Sequence, residues 1–208
     1  MENSALTKGI SDVALIFLFP FFLAIGHLSS GWNNEEIKKQ DKVVLSYQVY
    51  LPELKDSKKT VPVVIVLKDR GGRLTSNEVK LIEARSQATG KAVVIPKSPG
   101  KDWSEEDSVL IGKLLADLTV KKALNLEQIE LVSLSSGAPV AVRFLCTTSV
   151  KFEKVYILGH KGEIKNCEGG AMQNIVYTNN DINNNFWKQK TKVFNKISAK
   201  NLSEVLKD

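Results

Sequence analysis

The chain has 208 residues, of which 43% are hydrophobic and 25% charged, and its formal net charge at pH 7 is +6. These values are ordinary for a globular protein, so they exclude disordered, collagen-like and coiled-coil chains, and the length fits a single domain. Only two histidines and two cysteines are present. A zinc site made of these side chains is therefore hard to assemble, and we expect neither a metal nor a cofactor.

The first residues have the pattern of a secretory signal peptide. Lys8 precedes an apolar run from Val13 to Ile25, and about 13 residues are too few to cross a bilayer as a helix, which takes ~20. A cation, a short apolar run and then small residues are typical of a cleaved leader, and Ala24 and Gly26 provide the small residues. We therefore predict that residues 1–26 are removed and that the protein is exported, to the periplasm or outside the cell.

An uncleaved membrane anchor over residues 13–28 is the alternative, and it would be the only part of the chain in contact with a membrane. We expect residues 27–40 to form a polar linker and residues 41–208 to form one domain. Cleavage removes one basic and two acidic residues, which raises the net charge from +6 to +7. The lysines are scattered without interleaved arginine or aromatic residues, so we expect a solvated surface and no nucleic-acid partner.

Predicted strands and helices alternate along the domain. Val43–Tyr50 alternates apolar and polar residues as a half-buried strand does. Val61–Lys68 is a continuous, mostly β-branched run, which is typical of a strand buried on both faces. Ser76–Ala88 is then predicted to be a helix, capped by Ser76 and ended by Gly90.

The alternation continues through the second half of the chain. Ser104 and the three acidic residues after it predict the start of a second helix. Its predicted apolar face consists of Val109, Leu110, Leu114, Leu115 and Leu118. The remaining predicted elements are strands at Lys91–Pro96, Ile129–Leu134, Val155–Leu158 and Ile175–Thr178, a helix at Ala138–Cys146, and a short last strand at Lys192–Ile197. Continuous apolar strands that alternate with helices predict an α/β protein, with a mostly parallel central sheet covered by helices on both faces.

The turn between the strand that ends at Leu134 and the next helix could carry chemistry. A sharp strand-to-helix turn can hold its central residue at positive φ and expose that side chain above the sheet, with small residues two positions before and after it. Ser133 and Gly137 are those small residues, so Ser135 is the candidate nucleophile and the N–H of Ser136 a candidate oxyanion donor. Taken alone, the turn favours an ordinary strand–helix connection capped by serines.

Four segments surround this turn in a definite order: SYQVYLP, VVIVLKDRGG, KAVVIPKSPGKDW, and the run from DSVLIG to VRFLC. They belong to a stretch from Ser46 to Asp181, which is about two thirds of the chain. This stretch resembles the secreted esterases of the α/β-hydrolase fold that are related to polyhydroxybutyrate depolymerases and feruloyl esterases. The second segment corresponds to the family's strand before an L-H-G-x-G-G loop, and the fourth to its long helix, nucleophile elbow and following helix. The resemblance implies an α/β-hydrolase fold and a small ester or a polymer as ligand.

The resemblance also implies roles for individual residues. NIVYTNND stands where the family has a strand ending in H-G-T-x-D, which places Asp181 at the position of the catalytic carboxylate. The loop after the first buried strand corresponds to the oxyanion loop, so the N–H of Arg70 joins that of Ser136 as a donor. The family often has one Cys at the end of the helix after the elbow and another before the next strand. Cys146 and Cys167 occupy these places, and a disulfide between them suits an exported chain.

This sequence departs from the family pattern in three loops. The catalytic His of this fold follows the nucleophile and the acid along the chain, but no histidine follows Asp181. His160 is the one substitute in the domain and is a weak candidate, because it precedes the acid. Lys68 and Asp69 replace the His and the first Gly of the oxyanion loop, and Ser133 replaces the first Gly of the elbow.

These departures predict a catalytically degenerate member of the fold, shortened after the strand that bears the acid. The cleft at Ser135 would then remain as a relic or a binding surface. A first alternative is an active serine carboxylester hydrolase that uses Ser135, His160 and Asp181. A second alternative is a partner-binding module that uses a sheet edge left open if the last strand is missing.

Overall fold

The computed structural model describes residues 28–53, 60–68, 72–121, 123–158, 175–177 and 194–196. Within these residues the chain forms one eight-stranded sheet, three α-helices and a short 3-10 helix. The strands are β1 (Gly31–Lys39), β2 (Lys42–Leu51), β3 (Val61–Leu67), β4 (Ala92–Pro96), β5 (Leu124–Leu134), β6 (Lys154–Leu158), β7 (Ile175–Tyr177) and β8 (Phe194–Lys196). The helices are α1 (Ser76–Thr89), α2 (Ser108–Leu118) and α3 (Gly137–Thr147), and the 3-10 helix (Glu105–Asp107) directly precedes α2.

Neighbouring strands follow the order β1-β2-β4-β3-β5-β6-β7-β8. β2 is antiparallel to both of its neighbours, β1 and β4. All other neighbouring pairs are parallel. The carboxyl ends of β3, β4, β5, β6, β7 and β8 therefore lie along one edge of the sheet, where loops that carry function cluster in open α/β sheets. This arrangement confirms the predicted α/β class with a mostly parallel sheet.

Helices cover both faces of the sheet, as predicted. On one face Ile82 of α1 packs in an apolar cluster with Val64 and Val66 of β3. On the other face Leu114 of α2 and Leu145 of α3 belong to the larger apolar core. Successive side chains of a strand point to opposite faces, so a strand covered on both sides is apolar throughout, and this is why β3 has no polar position.

The ends of α1 follow the predicted capping chemistry with one change of residue. The cap is Thr75, and the predicted cap Ser76 is the first helical residue. The Thr75 N–H donates to Glu78 Oε2 at 2.8 Å, and the Glu78 N–H donates to the Thr75 hydroxyl at 3.3 Å. These two bonds form a capping box, which Ser76 cannot form because the residue three positions after it is Val79. Gly90 ends the helix at φ 67°, as predicted.

The predicted apolar face of α2 is correct except at its first residue. Val109 is 64% exposed, whereas Ile111 is fully buried. Leu110, Leu114 and Leu118 follow one another at intervals of four, and Ile111 with Leu115 completes the same stripe. Val109 lies outside this stripe, because it is five positions before Leu114 and faces away from the core.

Most of the segment predicted to be a linker, residues 27–40, belongs to the sheet, because β1 pairs with β2 along its whole length. Gln40 and Asp41 connect the two strands at φ values of 50° and 61°, which is the pattern of a two-residue type I′ hairpin turn. β1 lies at the sheet edge and buries little apolar surface, so its sequence lacks the pattern of a core strand. It is anchored by an ion pair in which Lys121 Nζ lies 2.5 Å from Glu35 Oε2.

The sheet continues beyond β7. β8 pairs in parallel with β7 and lies within the short last strand predicted at residues 192–197. β8 therefore agrees with the predicted short last strand, and among the described residues it is the outer strand at this end of the sheet. The partner-binding alternative stays a prediction.

The predicted leader, residues 1–26, lies outside the described residues, so its cleavage and the alternative anchor over residues 13–28 stay predictions. None of the helices in the described part of the chain is long and apolar enough to cross a membrane.

Candidate active site

The turn after β5 holds Ser135 at φ 53°, the left-handed region. The Ser135 N–H donates to the Leu158 carbonyl at the end of β6 (2.9 Å), and the Ser135 carbonyl accepts from the N–H of Ala138 in α3 (3.1 Å). These two bonds fix the backbone of the turn while the Ser135 side chain stays exposed at the carboxyl edge of the sheet. A non-glycine residue in this conformation costs about 1–3 kcal/mol and occurs where the surrounding structure enforces it. The positive φ and the exposed side chain are those that the spacing of the turn predicted, and the role of Ser135 as a nucleophile stays a prediction.

Both predicted small residues of the turn lie where space is limited. A Cβ atom on Gly137 would lie 2.4 Å from the Leu67 carbonyl oxygen of β3, so only glycine fits between α3 and this strand. Ser133 is fully buried, and its hydroxyl donates to the Tyr156 carbonyl at 3.1 Å. The change from glycine to serine at position 133 is therefore accommodated by a hydrogen bond to the neighbouring strand and does not distort the elbow.

Ser136 occupies the N-cap of α3, where the N–H groups of the first turn have no intrahelical acceptor. Its N–H is adjacent to the Ser135 hydroxyl in sequence and belongs to the positive end of the helix dipole, which suits a donor to a developing oxyanion. Its own hydroxyl makes no capping bond. Within the described residues the Ser136 Oγ atom is buried and has no hydrogen-bond partner.

Lys68 stands where the esterases that the sequence resembles have a histidine, and the structure gives its ammonium group a structural role. Lys68 is 9% exposed, and its Nζ donates to the Arg73 carbonyl at 2.8 Å and lies 3.3 Å from Glu78 Oε2. The Trp103 indole N–H donates to the Lys68 carbonyl at 2.9 Å. These contacts connect both sides of the loop after β3 to the start of α1 and to the loop before α2. Arg70 and Asp69 lie outside the described residues.

Glu78 is the acidic partner that completes this arrangement. Partial burial by itself would raise the pKa of the Glu78 carboxyl, but hydrogen bonds from the backbone and hydroxyl of Thr75 and the nearby Lys68 ammonium outweigh burial and lower the pKa below its usual value. Glu78 is therefore ionised at neutral pH. It serves at once as the capping-box acceptor of α1 and as the counterion of Lys68.

The predicted base and acid, His160 and Asp181, lie outside the described residues, and the described part of the chain contains no histidine. Their chain positions are nevertheless informative. His160 follows Leu158 by two residues, and the Leu158 carbonyl accepts the Ser135 N–H. Asp181 follows the end of β7 by four residues. Both residues thus come shortly after strands whose carboxyl ends lie along the same edge as Ser135.

The remaining predicted site residues concern the disulfide and metals. Cys146 is buried at the end of α3, and no free cysteine occurs among the described residues. Cys167 lies outside them, so the pairing stays a prediction. In the described part of the chain no group of three or more His, Cys, Asp or Glu side chains could hold a metal ion.

Comparison with known proteins identifies the fold. No protein-family model and no curated protein sequence matches the chain. Among solved structures it is similar to a thermostable esterase, with a TM-score of 0.60 at 14% identity over 79% of this chain and 54% of the other. It is similar to Est1E from Butyrivibrio proteoclasticus, with a TM-score of 0.58 at 10% identity over 84% of this chain and 96% of the other.

A third similar structure is the poly(3-hydroxybutyrate) depolymerase LpqC from Bordetella parapertussis, with a TM-score of 0.50 at 14% identity over 72% of this chain and 66% of the other. The chain spans about half the length of the thermostable esterase. At these identities the likeness establishes the fold, and the protein has an α/β-hydrolase fold. The strand order, the antiparallel β2 and the Ser135 elbow agree with this assignment.

Proposed function

We propose that the protein is an exported serine carboxylester hydrolase in which Ser135 is the nucleophile. The observation that carries the proposal is the left-handed backbone of Ser135 at φ 53°. A serine in this conformation is strained, and glycine would occupy the same turn without strain. A strained residue with an exposed hydroxyl at the end of a buried strand is explained if the hydroxyl is needed there.

The proposed reaction is acyl transfer to water in two steps. The Ser135 Oγ attacks the carbonyl carbon of the ester as its proton passes to a base, and the negative charge moves to the carbonyl oxygen. The N–H groups of Ser136 and Arg70 are the proposed donors to that oxygen. Collapse of the intermediate breaks the bond to the alcohol, which leaves with the proton, and water then releases the acid by the same route.

The departures from the family pattern at positions 68 and 133 are structurally neutral, which supports an active site over a degenerate one. Ser133 is buried and hydrogen-bonded away from the elbow surface. The Lys68 ammonium is held by the Arg73 carbonyl and Glu78, so it neither serves as the base nor blocks the turn. The departures at positions 68 and 133 therefore leave the Ser135 elbow intact.

The third departure concerns the base, for which we propose His160 with Asp181 as the carboxylate that orients it. The sequence has two histidines, and His27 lies next to the predicted leader. General-base assistance is worth about 10²- to 10⁴-fold in rate. His160 would supply it from the loop after β6, in place of a histidine that follows the acid.

The proposal is tested with a fluorophosphonate probe and p-nitrophenyl acetate. We expect the wild-type protein to be labelled and to hydrolyse the ester. Ser135→Ala should abolish both, and Ser76→Ala, which changes an exposed serine at the start of α1, should leave both unchanged. His160→Ala should reduce the rate of hydrolysis at least 100-fold. Labelling that persists in Ser135→Ala would contradict the assignment of the nucleophile.

The second candidate is the degenerate protein, favoured by the order of residues, since His160 precedes Asp181 whereas the base of this fold follows the acid. In this case the wild-type protein is correctly folded but neither reacts with the probe nor hydrolyses the ester. Circular dichroism and a cooperative unfolding transition would distinguish such a protein from a misfolded preparation.

A further inference from the structure

A groove separate from the Ser135 elbow lies beside the antiparallel end of the sheet. It has a volume of about 470 Å³, within the range of small-molecule sites. It lies where β1 and β2 meet the start of α1 and the segment after β4. Its lining residues are Trp32, Gln48, Gly72, Arg73, Leu74, Val79 and Lys97.

The aromatic wall of the groove is fixed in position. The indole N–H of Trp32 donates to Glu83 Oε1 at 2.8 Å, and its ring meets the Tyr50 ring edge-on, with 5.2 Å between centroids. The Tyr50 hydroxyl in turn accepts a hydrogen bond from Gln87 at 3.2 Å. Trp32 is thus preorganised as a flat apolar surface, and a ligand that stacks on it need not order the side chain.

Two cations converge on the same groove. Gly72 lies so close to the end of β4 that a Cβ atom there would be 2.9 Å from the Pro96 carbonyl oxygen and 3.4 Å from the Lys97 Cα. This close approach brings Arg73, the next residue, beside Lys97. Both side chains are exposed, and among the described residues neither forms an ion pair. None of the described lining residues is acidic.

We infer that this groove binds a small aromatic carboxylate, with the ring on Trp32 and Leu74 and the carboxylate between Arg73 and Lys97. Arginine forms paired hydrogen bonds with a carboxylate, and a second cation increases the charge complementarity. Trp32 and Leu74 provide apolar surface for an aromatic ring. β2, which forms one wall of the groove, lies three strand spacings, roughly 14 Å, from β5, whereas the wall made by Gly72, Arg73 and Leu74 belongs to the loop after β3, the neighbour of β5.

The inference is tested by isothermal titration calorimetry of the full chain with 2-naphthoate. We expect saturable binding with one site per chain. Arg73→Met and Lys97→Met should each weaken it at least tenfold, and the neutral analogue 2-naphthamide should bind at least tenfold more weakly than the carboxylate. Lys113→Met removes an exposed cation from α2 and is the matched control, which should bind as the wild type does.

Three outcomes would overturn the inference: no binding to the wild type, equal loss in Lys113→Met and Lys97→Met, or equal affinity for inorganic phosphate and naphthoate. The last would show that the cations act without the indole. Ser135→Ala should bind 2-naphthoate with unchanged affinity. This variant tests the groove independently of the proposed hydrolase activity, because one proposal can be wrong while the other is right.

Discussion

At Ser135 the strain of the backbone and the chemistry of the hydroxyl group can be tested separately. A left-handed φ of 53° burdens every residue with a Cβ atom, whereas glycine adopts it freely. The strain therefore belongs to the Cβ and not to the hydroxyl, and the two can be separated by comparing alanine with glycine at the same position.

We expect Ser135→Gly to be more stable than Ser135→Ala by about 0.5–1 kcal/mol. Both variants remove the hydroxyl, but only glycine relieves the left-handed strain, and its greater entropy in the unfolded chain offsets part of that relief. Urea denaturation of both variants measures the difference. A glycine variant less stable than the alanine variant would show that the turn is not strained.

The close approach of Gly137 to β3 predicts that a side chain at position 137 destabilises the protein. Gly137→Ala places a methyl group 2.4 Å from the Leu67 carbonyl oxygen, so α3 must shift away from the strand, and we expect a loss of about 2–3 kcal/mol. The displacement should also slow fluorophosphonate labelling of Ser135, because the elbow moves with α3.

Gly112 in α2 is the matched control for that substitution. A Cβ atom there would lie 3.9 Å from Phe144 Cε2, an ordinary contact, so Gly112→Ala should stabilise the protein by up to about 1 kcal/mol through helix propensity. Equal effects of the two substitutions on the midpoint of urea unfolding would contradict the proposed close packing at Gly137.

At the scale of elements, the start of α1 and the loop after β3 are stabilised by one carboxylate. Glu78 accepts hydrogen bonds from Thr75 and pairs with Lys68, so loss of its charge weakens both the cap and the loop. Its lowered pKa means that the folded state favours the ionised form. The stabilisation is therefore present above the unfolded-state pKa of about 4.3 and is lost as the pH falls through the lower pKa of the folded state.

Glu78→Gln should consequently be less stable than the wild type at pH 7, and the difference should shrink as the pH falls below about 4. Urea unfolding at pH 7, 5 and 3.5 measures this dependence. Glu127→Gln, which changes an exposed carboxylate on β5, provides the reference for a substitution outside the network. A Glu78→Gln difference that stays constant across this pH range would show that the charge of Glu78 does not stabilise the cap.

The elements differ in how far the sequence predicts them, and the reason is burial. β3, β4 and β5 lie in the core, so their apolar runs identify them without other information. β1 is an edge strand defined by its backbone pairing with β2, and its hairpin residues, Gln40 and Asp41, are not the usual Asn-Gly pair. Nothing in the sequence of β1 therefore distinguishes it from a polar linker.

The parts of the candidate site also differ in how far the sequence predicts them. The elbow is a local structure, so the spacing of Ser133, Ser135 and Gly137 indicated it, but only the order of the surrounding segments favoured it over an ordinary strand–helix connection. The role of Lys68 depends on Arg73 and Glu78, which come together only when α1 docks against the loop after β3. A property of this kind has no local signature, and a position that departs from a family pattern can be structurally neutral without any indication in the sequence.

At the scale of the whole molecule, the predicted leader and the predicted disulfide depend on each other. A disulfide persists in an oxidising compartment and is rare in the cytosol, so export and the Cys146–Cys167 bond should occur together. Cys146 lies at the end of α3 and is only 3% exposed, which protects its sulfur from external thiols. The bond would close a loop of about 21 residues and stabilise the fold by roughly 3 kcal/mol in the chain-entropy model.

We therefore expect protein recovered from the exported fraction to begin near His27 and to contain a linked pair of peptides with Cys146 and Cys167 that separates on reduction. Mass spectrometry of the intact chain and of its proteolytic digest measures both.

The double variant Cys146→Ala/Cys167→Ala should unfold at lower urea by an amount equivalent to roughly 3 kcal/mol. Added reductant should destabilise the wild type to a similar extent and leave the double variant unchanged, which separates loss of the bond from loss of packing at Cys146. A leader that is cleaved while both cysteines stay alkylatable would show that the two predictions are independent and that the disulfide is wrong.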